Sequence, residues 1–382
     1  LGQFRNWYSQ AGTPLLQARD HYDPVSQRYT LTLRQSCPVS PGQADKAPFV
    51  IPVATGLLGA HGNLDFRLSG ETRSGEAANA PVRHAVLMLT EAEQDFVFEA
   101  VTERPVPSLL RGFSAPVRLE YDYDRESLCA LMRLDEDGFV RWDAAQSLAV
   151  QVIEEVQGQI ADGRPATVDA ALLGASEQLL ASPELDPAMV AAMLELPGEN
   201  TLAELAAQHG GADPDAIHAG REAVKTALAE ALEDSFRQRY QALAPSSPYA
   251  PVADQVAARS LRNVCLDYLA RRGESGLALA RQQLEAADNL TDRLAALRAV
   301  ALYADEASCA AALSAFHRRW SEETLIVNQW FQVQAMVSDG DAVARVRQLM
   351  EHPDFDLQNP NKVRALVGAF ASANPVSFHR SD

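Results

Sequence analysis

Hydrophobic and polar residues alternate along the first third of the chain. In the stretch YTLTLR, Tyr29, Leu31 and Leu33 fall on one face of an extended segment with polar residues between them, and VRLEYD repeats this pattern. Pro and Gly separate such stretches, and no helical period lies between them. The polar residues 61–81 predict an exposed hairpin and loop. Residues 13–120 are therefore predicted to form a small β-sandwich.

The period of the pattern changes to 3.6 residues after residue 120. In RWDAAQSLAVQVIEEV, for example, Trp142, Leu148, Val152 and Val156 fall on one stripe. The segments that follow are rich in Ala and Leu and are joined by short turns, which favours helix pairs stacked side by side. Residues 121–382 are therefore predicted to form an α-solenoid of HEAT or armadillo character, without a legible repeat consensus. The predicted fold class is multidomain, β followed by all-α.

The last helical segment begins with a strong start signal. Asn359 is suited to cap free backbone amides, and Pro360 occupies a position where no amide partner is needed. Leu366 and Phe370 then recur at helical spacing, which predicts a buried face. A second Asn-Pro pair, at 374–375, predicts the end of this helix.

Arg364 lies on the flank of the apolar stripe of that segment. At 100° per residue, Gly368 and Ala371 are its neighbours on this edge, so small side chains leave space around its guanidinium. A guanidinium in such a space can donate two parallel hydrogen bonds to a carboxylate. The alternative is an interhelical salt bridge with one of many acidic residues, and the residues alone leave both interpretations open.

Negative charge is concentrated in the helical part of the chain. The formal net charge is −18, yet residues 1–120 carry 11 Lys+Arg against 12 Asp+Glu. This surface argues against a nucleic-acid partner, whose phosphates need basic patches. No apolar run approaches the roughly 18–20 residues of a membrane span. Four widely spaced cysteines predict a reduced, cytoplasmic protein with structural thiols.

A search for a self-sufficient active site finds no motif. The sequence has no HExxH helix, no phosphate-binding loop and no GxSxG elbow, so we expect neither a catalytic nor a metal-binding residue in this chain. DEDG at 135–138 is interpreted as a turn before a helix, and Asn289 as a helix cap. His317 is assigned to packing or solvent exposure, and Trp330 and Phe331 to the core.

Five stretches resemble the C-terminal half of proteins of the bacterial aminopeptidase N family. Members of this family are alanyl aminopeptidases of the zinc gluzincin type. The stretches are FRNWYSQAGTP (4–14), FSAPVRLEY (113–121), RWDAAQSL (141–148), DNLTDRLAAL (288–297) and NPNKVRALVGAFASANPVSFH (359–379). The family combines an N-terminal β-domain, a zinc domain, a small β-sandwich and a helical superhelix. The resemblance therefore implies that residues 1–12 are the tail of the preceding zinc domain or a linker, residues 13–120 the sandwich, and residues 121–382 an incomplete superhelix.

The resemblance also implies a function for the parent protein. That enzyme would release N-terminal residues from short peptides, with zinc activating a water molecule and polarising the scissile carbonyl. The HExxH ligands and the GAMEN stretch are absent from this chain, so we expect the chain to bind no zinc and to be inactive alone. Its implied role is to roof the active site and limit substrate size. The NPN-x-x-R arginine of the family, which corresponds to Arg364, would contact the C-terminal side of the substrate.

The implied partners are the enzyme's own N-terminal and zinc catalytic domains and short peptide substrates, in a monomer without nucleic acid or membrane. One alternative is a free-standing helical-repeat scaffold that binds partner proteins along a concave face. A second is the binding of calcium or another metal ion through the acidic helical part.

Overall fold

The computed structural model describes residues 2–69, 81–208 and 210–380. It divides into two compact units, one ending at Leu148 and the other beginning at Ala149. The strands belong to the first unit and the second is helical, so the predicted order of β followed by all-α is confirmed. None of the helices in the described ranges is both long enough and apolar enough to cross a bilayer.

The first unit is built from two sheets packed on one core. The strands are β1 (Leu15–Asp23), β2 (Arg28–Ser36), β3 (Ile51–Gly59), β4 (Gly62–Asn63), β5 (Arg67–Leu68), β6 (Ala85–Leu89), β7 (Glu93–Glu99), β8 (Val106–Ser108) and β9 (Arg118–Glu120). One sheet has the order β5-β7-β2-β1-β9, in which only the β1–β9 pair is parallel. In the other sheet β3 lies between β4 and β6, and β8 also pairs with β3. The predicted hairpin and loop at 61–81 are described only in part, since residues 70–80 lie outside the described ranges.

The alternating pattern of β2 is what places its side chains in the core. Tyr29, Leu31 and Leu33 are fully buried, while Arg34 on the opposite face is exposed. They pack with Ile51 of β3 and with side chains of both sheets in one cluster. Burying each such apolar side chain stabilises the fold by about 1.5–3 kcal/mol, so the pattern that predicts the sandwich also accounts for much of its stability.

The segment before β1 is held on the sandwich. It contains α1 (Asn6–Ser9), where Asn6 Nδ2 donates to the Pro48 carbonyl at 2.8 Å. The Trp7 indole donates to the Val50 carbonyl at 2.9 Å, and its ring centroid lies 4.7 Å from that of Phe49. These contacts bind α1 to residues 48–50 of the sandwich unit.

The chain after the last strand is mainly helical. The helices are α2 (Arg125–Leu134), α3 (Gly138–Ala161), α4 (Ala170–Ala181), α5 (Pro187–Leu194), α6 (Glu199–Ala207), α7 (Pro214–Ala231), α8 (Glu233–Ala242), α9 (Ala253–Ala270), α10 (Glu274–Ala286), α11 (Leu290–Tyr303), α12 (Glu306–Trp320), α13 (Thr324–Ala335), α14 (Ala342–Met350), α15 (Pro360–Val363), α16 (Ala369–Ala373) and α17 (Pro375–Phe378), with a π-helical stretch at Arg364–Gly368. The division between the two units therefore falls within α3.

The helices of the second unit form two layers. Helices α7, α9, α11 and α13 contact one another in this order, and α8, α10 and α12 each pack between successive members of that row. This alternation is the arrangement of an α-solenoid, in which every helix contacts its neighbours in sequence. The predicted architecture of the helical part is therefore confirmed.

The C-terminal segment returns to the beginning of the helical row. Asn359 caps α15 by accepting a hydrogen bond from the Asn361 amide at 3.0 Å, and Pro360 opens the helix as predicted. Asn374 ends α16, and α17 packs against α7. Asn200 Nδ2 of α6 donates to the Ser372 carbonyl at 2.7 Å. The two ends of the row are therefore joined by these contacts.

Candidate functional site

A cavity of about 820 Å³ lies against the row formed by α7, α9 and α11. The segments that follow α5 and α13, and the loop between α16 and α17, complete its wall. Successive helices of one layer thus contribute side chains to one space, as on the concave face of a solenoid. The volume falls within the roughly 300–1,000 Å³ typical of small-molecule sites.

Lys225 of α7 and Asp267 of α9 form an ion pair in this wall, with 2.7 Å between Nζ and Oδ2. The same ammonium donates to the Tyr303 hydroxyl at 3.3 Å. Burial alone would lower the pKa of Lys225, but the charge of Asp267 and the contacts with Tyr303 raise it on balance. Lys225 therefore stays cationic, and its charge is offset within the wall.

A second ion pair joins α7 to Arg271, the residue that follows α9. The Arg271 guanidinium pairs with the Glu222 carboxylate, and it also donates to the Thr226 hydroxyl at 3.0 Å and to the Tyr303 hydroxyl at 3.3 Å. Tyr303 thus receives donors from both cations. The arrangement fixes the spacing of the inner helices by charge-assisted hydrogen bonds, which are stronger than neutral ones.

His218 provides a titratable group in the wall. Its Nδ1 lies 2.7 Å from Oε1 of Glu199. The hydrogen bond to Glu199 raises the pKa of His218 and outweighs the opposing effect of burial. An imidazole already titrates near neutral pH, so the net charge of the cavity wall depends on the pH.

Two polar groups of the wall, the Arg298 guanidinium and Asn374 Oδ1, form neither a hydrogen bond nor an ion pair within the described residues. Arg298 of α11 is exposed in the cavity and forms no ion pair there. Asn374 is 2% exposed, and its Nδ2 donates to the carbonyls of Ala335 and Val337, but its Oδ1 has no partner. Arg298 thus offers a donor for an anion, and Asn374 an acceptor for an N–H or O–H group.

Sequence reasoning missed both residues as candidates for ligand binding. Arg298 belongs to the polar face of an ordinary amphipathic helix, and Asn374 was recognised only as the residue that ends one. Both residues line the cavity, which exists only in the folded row of helices and therefore leaves no pattern in the sequence.

Arg364 lies at the first position of the π-helical stretch and is exposed. It is outside the wall of the 820 Å³ cavity. Across the residues that the structure describes, its guanidinium forms neither a hydrogen bond nor an ion pair, so the interhelical salt bridge is absent there. A Cβ added at Gly368 would lie 3.8 Å from the Arg364 Cβ, so these two residues are neighbours, as the sequence predicted. π-helical turns occur often at functional sites.

Two family models together match most of the chain. Residues 125–382 match a domain of unknown function, DUF3458_C, described as ARM repeats. Residues 12–122 match the domain of unknown function DUF3458, described as an Ig-like fold. The second match covers less than half of the chain and the first covers more, so the chain belongs to the DUF3458_C family. Both descriptions agree with the two units of the structure, a sandwich followed by a helical solenoid.

Relatives of this DUF3458_C chain are aminopeptidases. Aminopeptidase N of Escherichia coli strain K12 is 40% identical over 385 residues, which cover 100% of this chain and 42% of the relative. Aminopeptidase N of Haemophilus influenzae is 36% identical, covering 99% of this chain and 42% of the relative. The resemblance to the C-terminal part of bacterial aminopeptidase N is thereby confirmed, and the chain spans less than half the length of these curated relatives.

A solved structure gives the same result. The crystal structure of Legionella pneumophila aminopeptidase A in complex with aspartic acid matches with a TM-score of 0.80 and 29% identity. The match covers 98% of the DUF3458_C chain and 41% of that protein. Both units of the chain therefore have counterparts within one aminopeptidase chain.

The DEDG stretch is a turn before a helix, as predicted. Asp137 accepts hydrogen bonds from the amides of Val140 at 3.0 Å and Gly112 at 2.9 Å, and α3 begins at Gly138. Asp135 pairs with the buried Arg111. Both carboxylates are therefore occupied by protein contacts in the first unit.

The remaining candidates also have structural roles. Asn289 caps α11 by accepting from the Asp292 amide at 2.9 Å, as predicted. Trp330 and Phe331 are buried in the core of the helical unit, also as predicted. The His317 ring packs on Trp330 at 4.6 Å between centroids, which agrees with the packing interpretation.

Proposed function

We propose that this chain forms the C-terminal region of a zinc-dependent aminopeptidase that releases N-terminal residues from short peptides. The observation that supports this most strongly is the alignment with proteins named aminopeptidase N over the whole chain but only 42% of their length. The remaining length of such a protein would supply the N-terminal and zinc catalytic domains as partners of this region. We assign residues 1–12 to the connection with the zinc domain, residues 13–120 to the sandwich and residues 121–382 to the superhelix.

The zinc ion of this enzyme would be held outside these residues. The sequence has no HExxH, so no helix of the chain carries the two histidines and the glutamate of that motif. When bound, such a zinc ion activates water and polarises the scissile carbonyl. The chain is accordingly proposed to be inactive alone and to contribute to substrate binding and enclosure.

The helical unit would roof the active site and limit substrate size. Its concave row encloses a space of about 820 Å³, and the C-terminal segment returns to α6 and α7 beside it. A space of this size admits a ligand of drug size but excludes a folded protein. Ion pairs such as Lys225 with Asp267 and Arg271 with Glu222 would keep the wall in place.

Arg364 would bind the C-terminal side of the substrate. Its exposed guanidinium makes no contact in the described part of the chain, so its donors are available to a ligand. Asn359 caps the helix that precedes it, which fixes the position of the backbone. A guanidinium matches the geometry of a carboxylate through two parallel hydrogen bonds, and a free peptide C-terminus presents that group.

Kinetics of the parent-length enzyme test this assignment. Arg364→Ala should raise KM about tenfold or more for a peptide with a free carboxylate, because a hydrogen bond to a charged group contributes about 1.5–3 kcal/mol. KM should change little for the same peptide with a C-terminal amide or for an alanyl anilide. Arg347 is also an exposed arginine, but it belongs to α14, so Arg347→Ala provides the matched control. Equal effects of Arg364→Ala on all three substrates would remove the proposed role.

We also propose a monomeric enzyme in the cytoplasm. All four cysteines are unpaired thiols, which fits a reducing compartment. The mass of the parent protein in solution and the localisation of a tagged copy would test the two statements separately.

A free-standing scaffold for protein–protein interaction is the alternative function. The two-layer solenoid, which the family model describes as ARM repeats, favours it, since such folds bind partners along a concave face. The coding DNA upstream of Leu1 distinguishes the two proposals. An in-frame HExxH supports the peptidase, whereas a gene without one favours the scaffold.

A further inference from the structure

Three metal-ligating side chains converge in the second unit. His317 belongs to the last turn of α12, while His352 and Asp354 lie in the turn that follows α14. Their ligand atoms all lie within 4.8 Å of one another. His317 Nε2 is 2.6 Å from Asp354 Oδ2, and His352 Nδ1 is 3.7 Å from that same oxygen.

We infer that His317, His352 and Asp354 form a binding site for a divalent transition-metal ion, for which zinc serves as the probe. Two imidazoles and one carboxylate suit zinc, copper, nickel and iron, whereas calcium and magnesium prefer an all-oxygen set. Zinc–ligand bonds of about 2.0–2.2 Å place neighbouring tetrahedral ligands about 3.3 Å apart. The distances of 2.6 and 3.7 Å lie on either side of this spacing. All three ligand atoms lie within 4.8 Å of one another, so side-chain shifts of about 1 Å would bring them to this spacing.

Aromatic side chains hold the two imidazoles in place. The Trp330 ring lies 4.6 Å from His317 and 5.2 Å from His352 between centroids, and Phe331 lies 5.9 Å from His352. The Trp330 indole donates to the Leu313 carbonyl at 3.0 Å, which fixes this wall to α12. An apolar wall on one side lowers the local dielectric and strengthens the attraction between a cation and the Asp354 carboxylate.

The cluster is also open to solvent. The side chains of His317, His352 and Asp354 are 20%, 27% and 33% exposed. An ion can therefore enter without unfolding of the turn, and three protein ligands leave a fourth position for water or an exogenous group. Open sites of this kind differ from structural zinc sites, which are closed by four protein ligands.

Binding would replace contacts that the cluster makes without metal. The ion would take the place of the proton between His317 and Asp354. Coordination through His352 Nδ1 would also replace the hydrogen bond that this atom accepts from the Asp354 amide at 3.1 Å. The Lys362 ammonium of α15 donates to the Asp354 main-chain carbonyl rather than to its carboxylate. Metal binding would therefore tie α12 to the turn that leads into α15.

This inference departs from the expectation that the chain binds no metal. The sequence gives no motif because His317 and His352 are 35 positions apart, and His352 and Asp354 are spaced as in an ordinary turn. It is independent of the peptidase proposal, since its readout is ion binding rather than hydrolysis.

Zinc titration of the metal-free 382-residue chain tests the site. We expect one zinc ion per chain by calorimetry, a rise of Tm with zinc, and Co²⁺ absorption bands characteristic of low coordination number. His352→Ala and Asp354→Asn should each weaken this binding at least about 100-fold, because even the loss of an outer partner of a metal ligand reduces affinity about 10–100-fold. Magnesium and calcium should not compete.

His21→Ala, which removes an exposed histidine of β1, is the matched control and should retain the full stoichiometry. Asp354→Asn keeps the shape of the turn, and circular dichroism reports whether each variant is folded. Zinc content after dialysis of the parent-length protein and its Asp354→Asn variant gives a second readout, with an expected loss of one equivalent. Unchanged zinc binding in the ligand variants, or no zinc uptake by the unsubstituted chain, would overturn the inference and leave only a hydrogen-bonded His–Asp cluster.

Discussion

The Arg111 guanidinium and the Asp135 carboxylate form a buried ion pair, with 3.3 Å between Nη2 and Oδ1. Their side chains are 6% and 0% exposed. Ser108 and Asn63 accept further hydrogen bonds from Arg111, both at 2.7 Å. The pair joins the 3-10 helix Arg111–Phe113, which follows β8, to the turn between α2 and α3. Removal of either charge would leave the other buried without compensation.

Arg111→Ala should therefore destabilise the first unit strongly. We expect a loss of about 3–5 kcal/mol in the free energy of unfolding, as for a buried pair that loses one partner. Chemical denaturation of the chain, followed by fluorescence, measures this loss. Arg19→Ala disrupts a surface pair with Glu93, whose side chains are 72% and 49% exposed, and should cost less than about 1 kcal/mol. Similar losses in the two variants would contradict the assignment.

Gly56 provides the space for the Arg111 side chain. A Cβ at position 56 would lie 2.1 Å from the Arg111 guanidinium carbon, closer than any real contact. Gly56→Ala should therefore displace the guanidinium and lower Tm, as Arg111→Ala does. Gly158→Ala in α3, where no atom lies within 4 Å of the added Cβ, should be neutral or stabilising by about 0.5–1 kcal/mol. A Gly56→Ala variant as stable as Gly158→Ala would show that the contact is relieved at no cost.

The His218–Glu199 pair makes stability depend on pH. The hydrogen bond to Glu199 raises the pKa of His218 above its ordinary value of 6.5, against the effect of burial. Its stabilising contribution is therefore fully present below about pH 6.5 and is lost as the pH rises through the higher pKa of the folded state. Denaturation of the chain and of His218→Gln at pH 6 and pH 9 should show the larger difference at pH 6. A difference that is constant or grows with pH would contradict this sign.

Asn374 fixes the end of α16 through two main-chain carbonyls. Its buried Nδ2 donates to Ala335 at 3.1 Å and to Val337 at 3.0 Å. Asn374→Ala leaves both carbonyls without this donor and should cost about 1–3 kcal/mol. Asn200→Ala, which removes an exposed hydrogen bond to Ser372, should cost less. Hydrogen exchange at residues 369–378 measures the effect locally, and unchanged protection in Asn374→Ala would contradict the role.

Much of the fold follows from local patterns in the sequence. Period two places Tyr29, Leu31 and Leu33 in the core, and Asn359 with Pro360 opens a helix in the structure as well. These signals succeed because burial periodicity and capping act within a few residues. The order of a sandwich followed by a solenoid is predictable on this basis.

Helix boundaries were less predictable than the helices themselves. Thr201 and Glu204 have the spacing of a capping box, yet α6 begins at Glu199 after Gly198, so Thr201 lies within the helix rather than at its cap. Around Arg364, a projection of 100° per residue assumes an α-helix, whereas the structure is π-helical from Arg364 to Gly368. In both places the local backbone conformation differs from the regular α-helix that the sequence pattern assumes.

The long-range contacts of both units could not be predicted. Arg111 with Asp135, and His317 with Asp354, join residues that are distant in sequence. No local signal distinguishes them from solvent-exposed charges, because only the packing of separate elements brings them together. The wall of the cavity, including Arg298, has the same origin.

The aminopeptidase activity of the chain, measured beside that of the parent-length protein, tests the account most directly. An alanyl anilide and a short peptide with N-terminal alanine serve as substrates, with zinc supplied to both proteins. We expect hydrolysis by the parent-length protein and none by the 382-residue chain, because the chain has no HExxH motif and the proposed zinc ligands would lie outside it. Zinc-dependent hydrolysis by the chain alone, or a parent-length protein without aminopeptidase activity, would contradict the account.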